Sequence, residues 1–476
     1  MSPRRRSRPT HTRRAVVTGL ATGALALTGC LGDDDPDSPP ATDPEDITPV
    51  ESEYDLSVDH DDLESWERYD PDWTSPTASP LEADLETEVV IENLEIPWDL
   101  SFAPDGDLFL SERTGTILRY DSASLSDVAR ADVLDRADAV EPGSADGGWW
   151  AAGSEGGLLG IAVHPNYPDV PLVYAFYTYE TDGEYYNRLV YYDVSADDPS
   201  ETETAVIDGI EGNEIAHNGS RLAFGPENYL WVTTGDALYN DWEEDEDPIS
   251  QDVRSLAGKV LRIEPDGSPA PGNPDLESED GAGDPRIYSY GHRNPQGISW
   301  LPDGTPIITE HGPGARDEVM VLEPGDNHGW STARDADTYP GTDFARPVVN
   351  IGPGASLAPS GCVFYTGDAV PEWRNRLLVG TLAGQRITAV TVYPADAEDD
   401  ERPTADGGTR YDADWMHEEY HAVTHHAFED ELGRVRHVEQ GPDGALYAIT
   451  SNRDGRAGDG FPTDRDDVLV RITPAE

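Results

Sequence analysis

Lysine is almost absent from the chain, and basic residues of any kind are few. Lys259 is the only lysine among 476 residues, and 32 basic side chains face 95 acidic ones, which gives a formal net charge of −63. An acidic excess of this size repels nucleic acid and anionic lipid, so neither is an expected partner. Acidic, lysine-poor chains are typical of salt-accumulating archaea, whose surface carboxylates hold water and cations. The composition therefore predicts a halophilic protein.

Cysteine is scarce as well, which excludes a disulfide framework. The chain has only Cys30 and Cys362, so we expect its stability to come from packing and bound ions. The N-terminus contains an uncharged run from Ala15 to Thr28 that is far too short to span a bilayer as a mature helix. This run therefore predicts a targeting signal rather than a membrane anchor.

The first 29 residues are similar to a twin-arginine lipoprotein signal. The pair Arg13-Arg14 precedes the uncharged run, and the run ends in Leu27-Thr28-Gly29-Cys30, which resembles a lipobox. Such a signal predicts export of the folded protein, with Cys30 lipid-modified and the protein held on the outer face of the cell membrane by that lipid alone. A simple small-residue cleavage site is the alternative. Residues 30–85 are rich in Asp, Pro and Ser and predict a flexible acidic tether.

An internal repeat predicts the fold of residues 86–476. A strand that alternates apolar and polar residues, a tight turn and a second strand recur six times, first as WDLSFAPDGDLFLSERTGTILRY from Trp98. Turn prolines mark the copies, among them Pro104, Pro165 and Pro302. Helical patterning is almost absent. The repeat therefore predicts an all-β, six-bladed β-propeller of four-stranded antiparallel blades. A strand near Glu88 should complete the last blade and close the ring, whereas a β-sandwich is the alternative arrangement.

Five segments resemble the soluble quinoprotein glucose/sorbosone dehydrogenase family, which uses pyrroloquinoline quinone (PQQ). In chain order they are GHRNPQG, EHGPGARDE, GDNHGW, LAPSG and GRVRHV. The resemblance covers nearly all of the predicted propeller. It implies a calcium- and PQQ-dependent enzyme that oxidises an aldose at the anomeric carbon to a lactone and passes electrons to an external acceptor, here a membrane quinone or redox protein. In that chemistry a neutral histidine takes the proton of the anomeric hydroxyl.

The resemblance assigns roles to individual residues by position. The catalytic base is His217, oriented by Asp236. The cofactor contacts are Arg293, Asn294, Ser356, Arg434 and Arg436. The sugar contacts are Glu155 and Gln296. The ligands of the cofactor Ca²⁺ are the carbonyls of Gly312 and Pro313, and a second, structural Ca²⁺ would use Glu318 and the carbonyl of His328.

Several of these residues also have a structural alternative. His217 could cap a blade turn, Arg293 could pin a loop to acidic neighbours, and Gly312-Pro313 could be an ordinary turn. Arg434 and Arg436 could be surface arginines. The pair Glu318 and His328 could bind salt cations without selectivity.

The sequence departs from the family at the predicted cofactor site. Relatives place a lysine on the cofactor where this chain has Ala383, and Arg386, three residues further on, would point the wrong way along a strand to replace it. His311 replaces a glutamine, and two aromatic residues that cover the cofactor in some members correspond to Ile351 and Gly354. An alternative hypothesis is therefore a cofactor-free propeller that binds glycans or a protein. A lactonase-like metal hydrolase would need converging carboxylates, which the motifs do not show.

Overall fold

The computed structural model describes residues 47–60, 62–133, 155–213, 215–238, 248–278 and 281–475. The predicted signal and Cys30 lie outside these ranges. Within them the regular structure is β-strand, apart from short 3₁₀ turns at Leu63–Ser65, Pro80–Glu82, Pro199–Thr202, Ile249–Gln251 and Pro371–Trp373. Among the described residues, no helix has the length and apolar character needed to cross a membrane.

The strands follow one another along the whole described chain. In order they are β1 (Leu85–Ile91), β2 (Pro97–Phe102), β3 (Leu108–Glu112), β4 (Thr116–Tyr120), β5 (Leu125–Arg130), β6 (Leu158–Val163), β7 (Leu172–Thr181), β8 (Glu184–Asp193), β9 (Thr204–Glu211), β10 (Leu222–Phe224), β11 (Leu230–Thr233), β12 (Lys259–Ile263), β13 (Glu277–Ser278), β14 (Gly281–Ala282), β15 (Ile287–Tyr290), β16 (Pro295–Trp300), β17 (Pro306–Glu310), β18 (Glu318–Val321), β19 (Val349–Asn350), β20 (Pro359–Tyr365), β21 (Arg376–Thr381), β22 (Arg386–Pro394), β23 (Thr409–Tyr411), β24 (Tyr420–Ala427), β25 (Val435–Gln440), β26 (Leu446–Thr450) and β27 (Leu469–Pro474).

These strands form six antiparallel sheets, which confirms the predicted six-bladed propeller. Blades 1 to 4 have the orders β2-β3-β4-β5, β6-β7-β8-β9, β10-β11-β12-β15 and β16-β17-β18-β19. Blade 5, β20-β21-β22-β24-β23, carries one additional short strand, and blade 6 has the order β1-β27-β26-β25. The strands β13 and β14 form a separate small hairpin. The β1–β27 pair joins the two ends of the propeller, from Leu85 opposite Pro474 to Ile91 opposite Leu469.

The hydrophobic core lies between neighbouring blades. One cluster joins side chains of blades 1 and 2, such as Ile117 and Tyr177, and another joins blades 4 and 5, such as Val319 and Val390. The first strands of neighbouring blades contact one another, for example β2 with β6 and β16 with β20. Because they are covered on both faces, β6 and β16 are buried along their whole length.

Residues 47–60 and 62–84, which we call the N-terminal strap, pack against the propeller, although they belong to the stretch 30–85 for which a flexible tether is predicted. Residues 30–46 of that tether lie outside the described ranges. Leu56 is buried in the core of blades 2 and 3, and the His60 ring stacks on Tyr229 with 4.1 Å between ring centroids. Further along, Trp73 meets Phe364 of blade 5 edge-on. The prediction differed because these apolar residues are isolated within an acidic, Pro-rich stretch, and such a stretch shows no periodicity.

The strap and the predicted site residues lie at opposite ends of the blades. The strap contacts turns that join first and second strands, for example through the hydrogen bond from Asp70 N to Pro302 O at 2.9 Å. His217, Asn294 and Arg434 instead precede the first strands of blades 3, 4 and 6. In antiparallel blades, the start of a first strand meets the end of the second strand. One face of the propeller therefore gathers the candidate site.

Candidate active site

His217 and Asp236 form a buried pair at the start of blade 3. The His217 Nδ1 and Asp236 Oδ1 atoms are 2.6 Å apart. Their two loops touch: a side chain at Gly235 would lie 2.0 Å from the carbonyl oxygen of His217, so only glycine fits there. Because a carboxylate only accepts hydrogen bonds, Nδ1 carries the proton of a neutral ring and Nε2 is left as the acceptor.

The Asp236 carboxylate is held by two further donors. Trp330 Nε1 donates to Oδ2 at 2.6 Å, and the backbone N–H of Leu238 donates to Oδ1 at 3.1 Å. The Trp330 indole also packs against the Arg293 guanidinium, which is 5.3 Å from the ring centroid. Trp330 thus links the predicted base pair to a predicted cofactor residue. Trp330 lies within the segment GDNHGW, but the sequence alone gives it no role because it is 94 residues from Asp236.

Glu155 joins several of the predicted residues through one carboxylate oxygen. Its Oε2 accepts from Asn294 Nδ2 at 3.0 Å and from Gln296 Nε2 at 3.1 Å, and it lies 3.4 Å from the backbone N of His217. Burial acts to raise the pKa of Glu155, but His311, His217 and nearby arginines outweigh it and lower that pKa to about 2. Glu155 is therefore ionised near neutral pH and fixes the loops around His217.

Arg434 and Arg436 lie side by side at the start of blade 6 and are almost fully buried. Arg434 donates through Nε and one terminal nitrogen to Asp454 Oδ2, at 2.9 and 2.7 Å. Arg436 donates to Gln296 Oε1 at 3.0 Å, and its guanidinium lies 4.0 Å from the centroid of the Trp98 ring. Both arginines thus have partners within the protein, so the alternative of surface arginines does not apply. Asp454 was missed because the sequence around it carries no recognised motif.

Asp317 fixes the loop of the predicted calcium carbonyls. Its Oδ1 accepts from Gly312 N at 3.0 Å, and its Oδ2 accepts from the Ser356 hydroxyl at 2.9 Å. The carbonyl oxygen of Pro313 accepts from an Arg316 terminal nitrogen at 3.2 Å. Ser356 and the pair Gly312-Pro313 are therefore brought together, and a calcium ion at Pro313 would share the carbonyl oxygen with the Arg316 guanidinium.

Glu318 and Glu310 face each other across paired strands β17 and β18 beside a recess that Pro313 also lines. Burial raises the pKa of Glu310 to about 7, and burial together with Glu310 raises that of Glu318 well above its usual range. His328 lines the same recess, and its ring stacks on His292. A cation beside these two buried carboxylates would offset their mutual repulsion and the cost of burying their charges. Within the described ranges, no three His, Cys, Asp or Glu side chains converge on a metal position, so backbone carbonyls would have to complete the ligand set.

Polar atoms without a partner lie where the cofactor is predicted. His311 Nε2 and Arg436 Nε are buried and make no hydrogen bond to any described residue. Burial lowers the pKa of His311 to about 4, so its ring is neutral near pH 7. Buried polar groups are normally satisfied. A planar, polycarboxylated molecule such as PQQ, held beside Arg293 and Arg436, fits this arrangement of donors.

The turn that lacks the family lysine carries no compensating charge of its own. Ala383 is exposed in the turn between β21 and β22. Arg386, at the start of β22, pairs with Glu429. Because Glu429 engages the Arg386 guanidinium, this contact agrees with the expectation that Arg386 does not replace the lysine.

A family model and several known proteins are similar to this chain. The family model described as Glucose / Sorbosone dehydrogenase matches residues 94–459. An aldose sugar dehydrogenase of Escherichia coli is 28% identical over 396 residues, covering 80% of this chain and 93% of the relative.

Two solved structures are similar over nearly their whole length. A glucose dehydrogenase-type oxidoreductase of Thermus thermophilus is 33% identical with a TM-score of 0.63, covering 82% of this chain and 99% of that one. The PQQ-bound aldose sugar dehydrogenase of Streptomyces coelicolor is 30% identical with a TM-score of 0.61, covering 84% and 99%. The likeness therefore extends over the whole propeller.

Proposed function

Because the chain belongs to the glucose/sorbosone dehydrogenase family, we propose that it oxidises an aldose at the anomeric carbon to the lactone. PQQ and Ca²⁺ are the proposed cofactors, and an external acceptor takes the electrons. The observation that carries this proposal is the buried pair of His217 and Asp236, 2.6 Å apart and surrounded by Arg293, Asn294 and Glu155.

The proposed reaction uses His217 as the base. Its Nε2 takes the proton of the anomeric hydroxyl while the hydride leaves the anomeric carbon, and Asp236 stabilises the imidazolium that forms. When bound, PQQ would supply the hydride acceptor, and Ca²⁺ would supply a Lewis acid for the quinone. Arg293 and Arg436 would hold the cofactor carboxylates, Ser356 would contact the cofactor, and Gly312 and Pro313 would hold the calcium ion. Gln296 and Glu155 fix the walls of the sugar pocket.

A titration of the apo-protein tests the proposal. The full chain, folded in molar KCl with Ca²⁺, is titrated with PQQ while absorbance is followed, and aldoses and a redox dye are then added. We expect stoichiometric binding and sugar-dependent bleaching of the quinone. His217→Gln is expected to bind PQQ normally and to lose turnover, about 10²–10⁴-fold. If the folded parent binds no PQQ, the dehydrogenase proposal is wrong and the cofactor-free binding module becomes the better hypothesis.

We also propose that the protein is an exported lipoprotein on the outer face of the membrane. The basis is Arg13-Arg14 and the lipobox ending at Cys30. From there it would deliver electrons to a membrane quinone or redox protein. Replacing Cys30 by Ser should move the protein from the membrane fraction to the medium, and mass spectrometry of the parent should show the lipid. An unmodified Cys30 on the mature protein would contradict the anchor.

A further inference from the structure

The blade 6 end of the candidate site holds an excess of positive charge. Among the described residues there, four arginines lie close to the carboxylates of Glu155 and Asp454, and Asp467 lies near Asp454. The arginines are Arg113, Arg434, Arg436 and Arg456. In a chain whose formal net charge is −63, such a cluster is unusual. Burial lowers the pKa of Arg113 to about 10 and that of Arg436 well below its usual range. An anionic ligand would offset this charge.

Arg456 differs from the other three arginines because its side chain is 45% exposed. Arg113, Arg434 and Arg436 are each less than 5% exposed. The Arg456 backbone N–H donates to Asp454 Oδ1 at 3.0 Å, which fixes the start of its loop. One of its terminal nitrogens lies 3.7 Å from Glu155 Oε1. Arg456 is thus the guanidinium of this cluster that an anion arriving from solvent would meet first.

The Arg456 loop is docked on the turn that contains Ala383. Gly458 N donates to the side-chain oxygen of Gln385 at 2.9 Å, and a side chain at Gly458 would lie 2.7 Å from the Gln385 amide nitrogen. The Ala383 turn therefore lies beside a loop that carries an accessible positive charge. Arg386, the charged residue nearest to Ala383 along the chain, is engaged by Glu429.

We propose that Arg456 binds a carboxylate of the quinone cofactor from the solvent side of the site. It thereby supplies the charge that the Ala383 turn lacks. This inference rests on the proposed function. The planar guanidinium of Arg456 can donate two parallel hydrogen bonds to a carboxylate. It lies beside Glu155, whose carboxylate also contacts the backbone of His217.

PQQ affinity of the apo-protein tests this proposal without relying on turnover. Arg456→Ala is titrated with PQQ in molar KCl with Ca²⁺, beside Arg456→Lys and the control Arg386→Ala. Arg386→Ala removes the same charge near the same turn. We expect Arg456→Ala to weaken PQQ binding about tenfold, with Arg456→Lys between it and the parent. Arg386→Ala should bind like the parent. The loss should shrink as KCl is raised, because Arg456 is exposed and its charge is screened.

The outcomes separate this proposal from the proposed function. If the parent binds PQQ and both Arg456 variants bind it equally well, the proposed contact is wrong. If PQQ affinity is unchanged but the KM for a uronic acid rises while that for a neutral aldose does not, the carboxylate belongs to the sugar and the proposal is overturned. If the parent itself binds no PQQ, the proposed function fails together with this inference. Thermal unfolding of each variant checks that it is folded.

Discussion

The substitution Asp236→Asn tests how one carboxylate organises the predicted base. Asp236 accepts three N–H groups: His217 Nδ1 and Leu238 N on Oδ1, and Trp330 Nε1 on Oδ2. A carboxamide has only one accepting oxygen. If that oxygen faces His217, the NH₂ group meets the Trp330 N–H. If it faces Trp330, the NH₂ group meets Leu238 N–H and His217.

Either orientation leaves two donors opposed in a buried site and removes the charge that stabilises the imidazolium. We therefore expect turnover to fall about 10²–10⁴-fold with PQQ still bound. The opposed donors should also lower the free energy of unfolding by about 1–3 kcal/mol. Trp330→Phe alone leaves Oδ2 without its donor, and we expect it to lower turnover about tenfold.

The double variant of Asp236→Asn and Trp330→Phe gives the sharper result. Without the indole N–H, the Asn oxygen can face His217 and Leu238, and its NH₂ group opposes no donor. The double variant should therefore turn over at least as fast as Asp236→Asn, whereas independent effects would make it about tenfold slower. The parent, the two single variants and the double variant are compared by initial rates with a redox dye, by PQQ titration and by thermal unfolding. If the turnover losses of the two single variants multiply in the double variant, Trp330 and His217 do not act through the same carboxylate. If Asp236→Asn turns over within about threefold of the parent, the His217–Asp236 pair does not have the proposed role in catalysis.

Three further predictions concern stability and reactivity. Leu56→Ala should lower the free energy of unfolding by about 2–3 kcal/mol, because Leu56 anchors the strap in the core. The control Leu81→Ala, at a position that is 45% exposed, should change that free energy little. Denaturant unfolding of both variants measures the difference. Burial raises the pKa of Glu112 from 4.5 to about 7, so the folded protein binds a proton that the unfolded chain releases, and stability falls as pH rises through that range. The fall in the free energy of unfolding should amount to roughly 3 kcal/mol, and Glu112→Gln should abolish it. Denaturant unfolding at pH values below and above this range measures the effect. The reasoning would be contradicted if the stability of parent and variant changed equally with pH. Burial also raises the pKa of the Cys362 thiol to about 12, so a thiol reagent should label Cys362 only after unfolding, and rapid labelling of the native protein would disprove its burial.

The sequence predicted the blades well because each repeat carries its own turn chemistry. The Pro-Asp-Gly turns separate β2 from β3 and β16 from β17, and the alternating strands between them need only local information. The closing strand followed from the same reasoning, because one strand precedes the first repeat and the last repeat is one strand short of four. The strap could not be predicted in this way. Its anchors, such as Leu56 and Trp73, gain their partners only after distant blades are assembled.

The candidate site shows the same division between local and long-range information. The structure brings His217, Asp236, Asn294 and Glu155 together, while the roles that the resemblance assigns to them stay predictions. The donor that Trp330 aims at Asp236 comes from another blade and was not foreseen. Its partner depends on how two loops cross, and no local pattern in the chain encodes that geometry.

The closure of the ring by β1 and β27 also constrains when the protein can fold. Leu85 pairs with Pro474, so blade 6 needs almost the first and the last residues of the propeller. A ribosome must therefore synthesise the chain through Pro474 before the ring can close, and contacts this distant in sequence form slowly. A translocase that threads unfolded chains would leave that slow step to the outside of the cell. The twin-arginine signal predicted at Arg13-Arg14 would instead give the chain time to close its ring in the cytoplasm before it is exported.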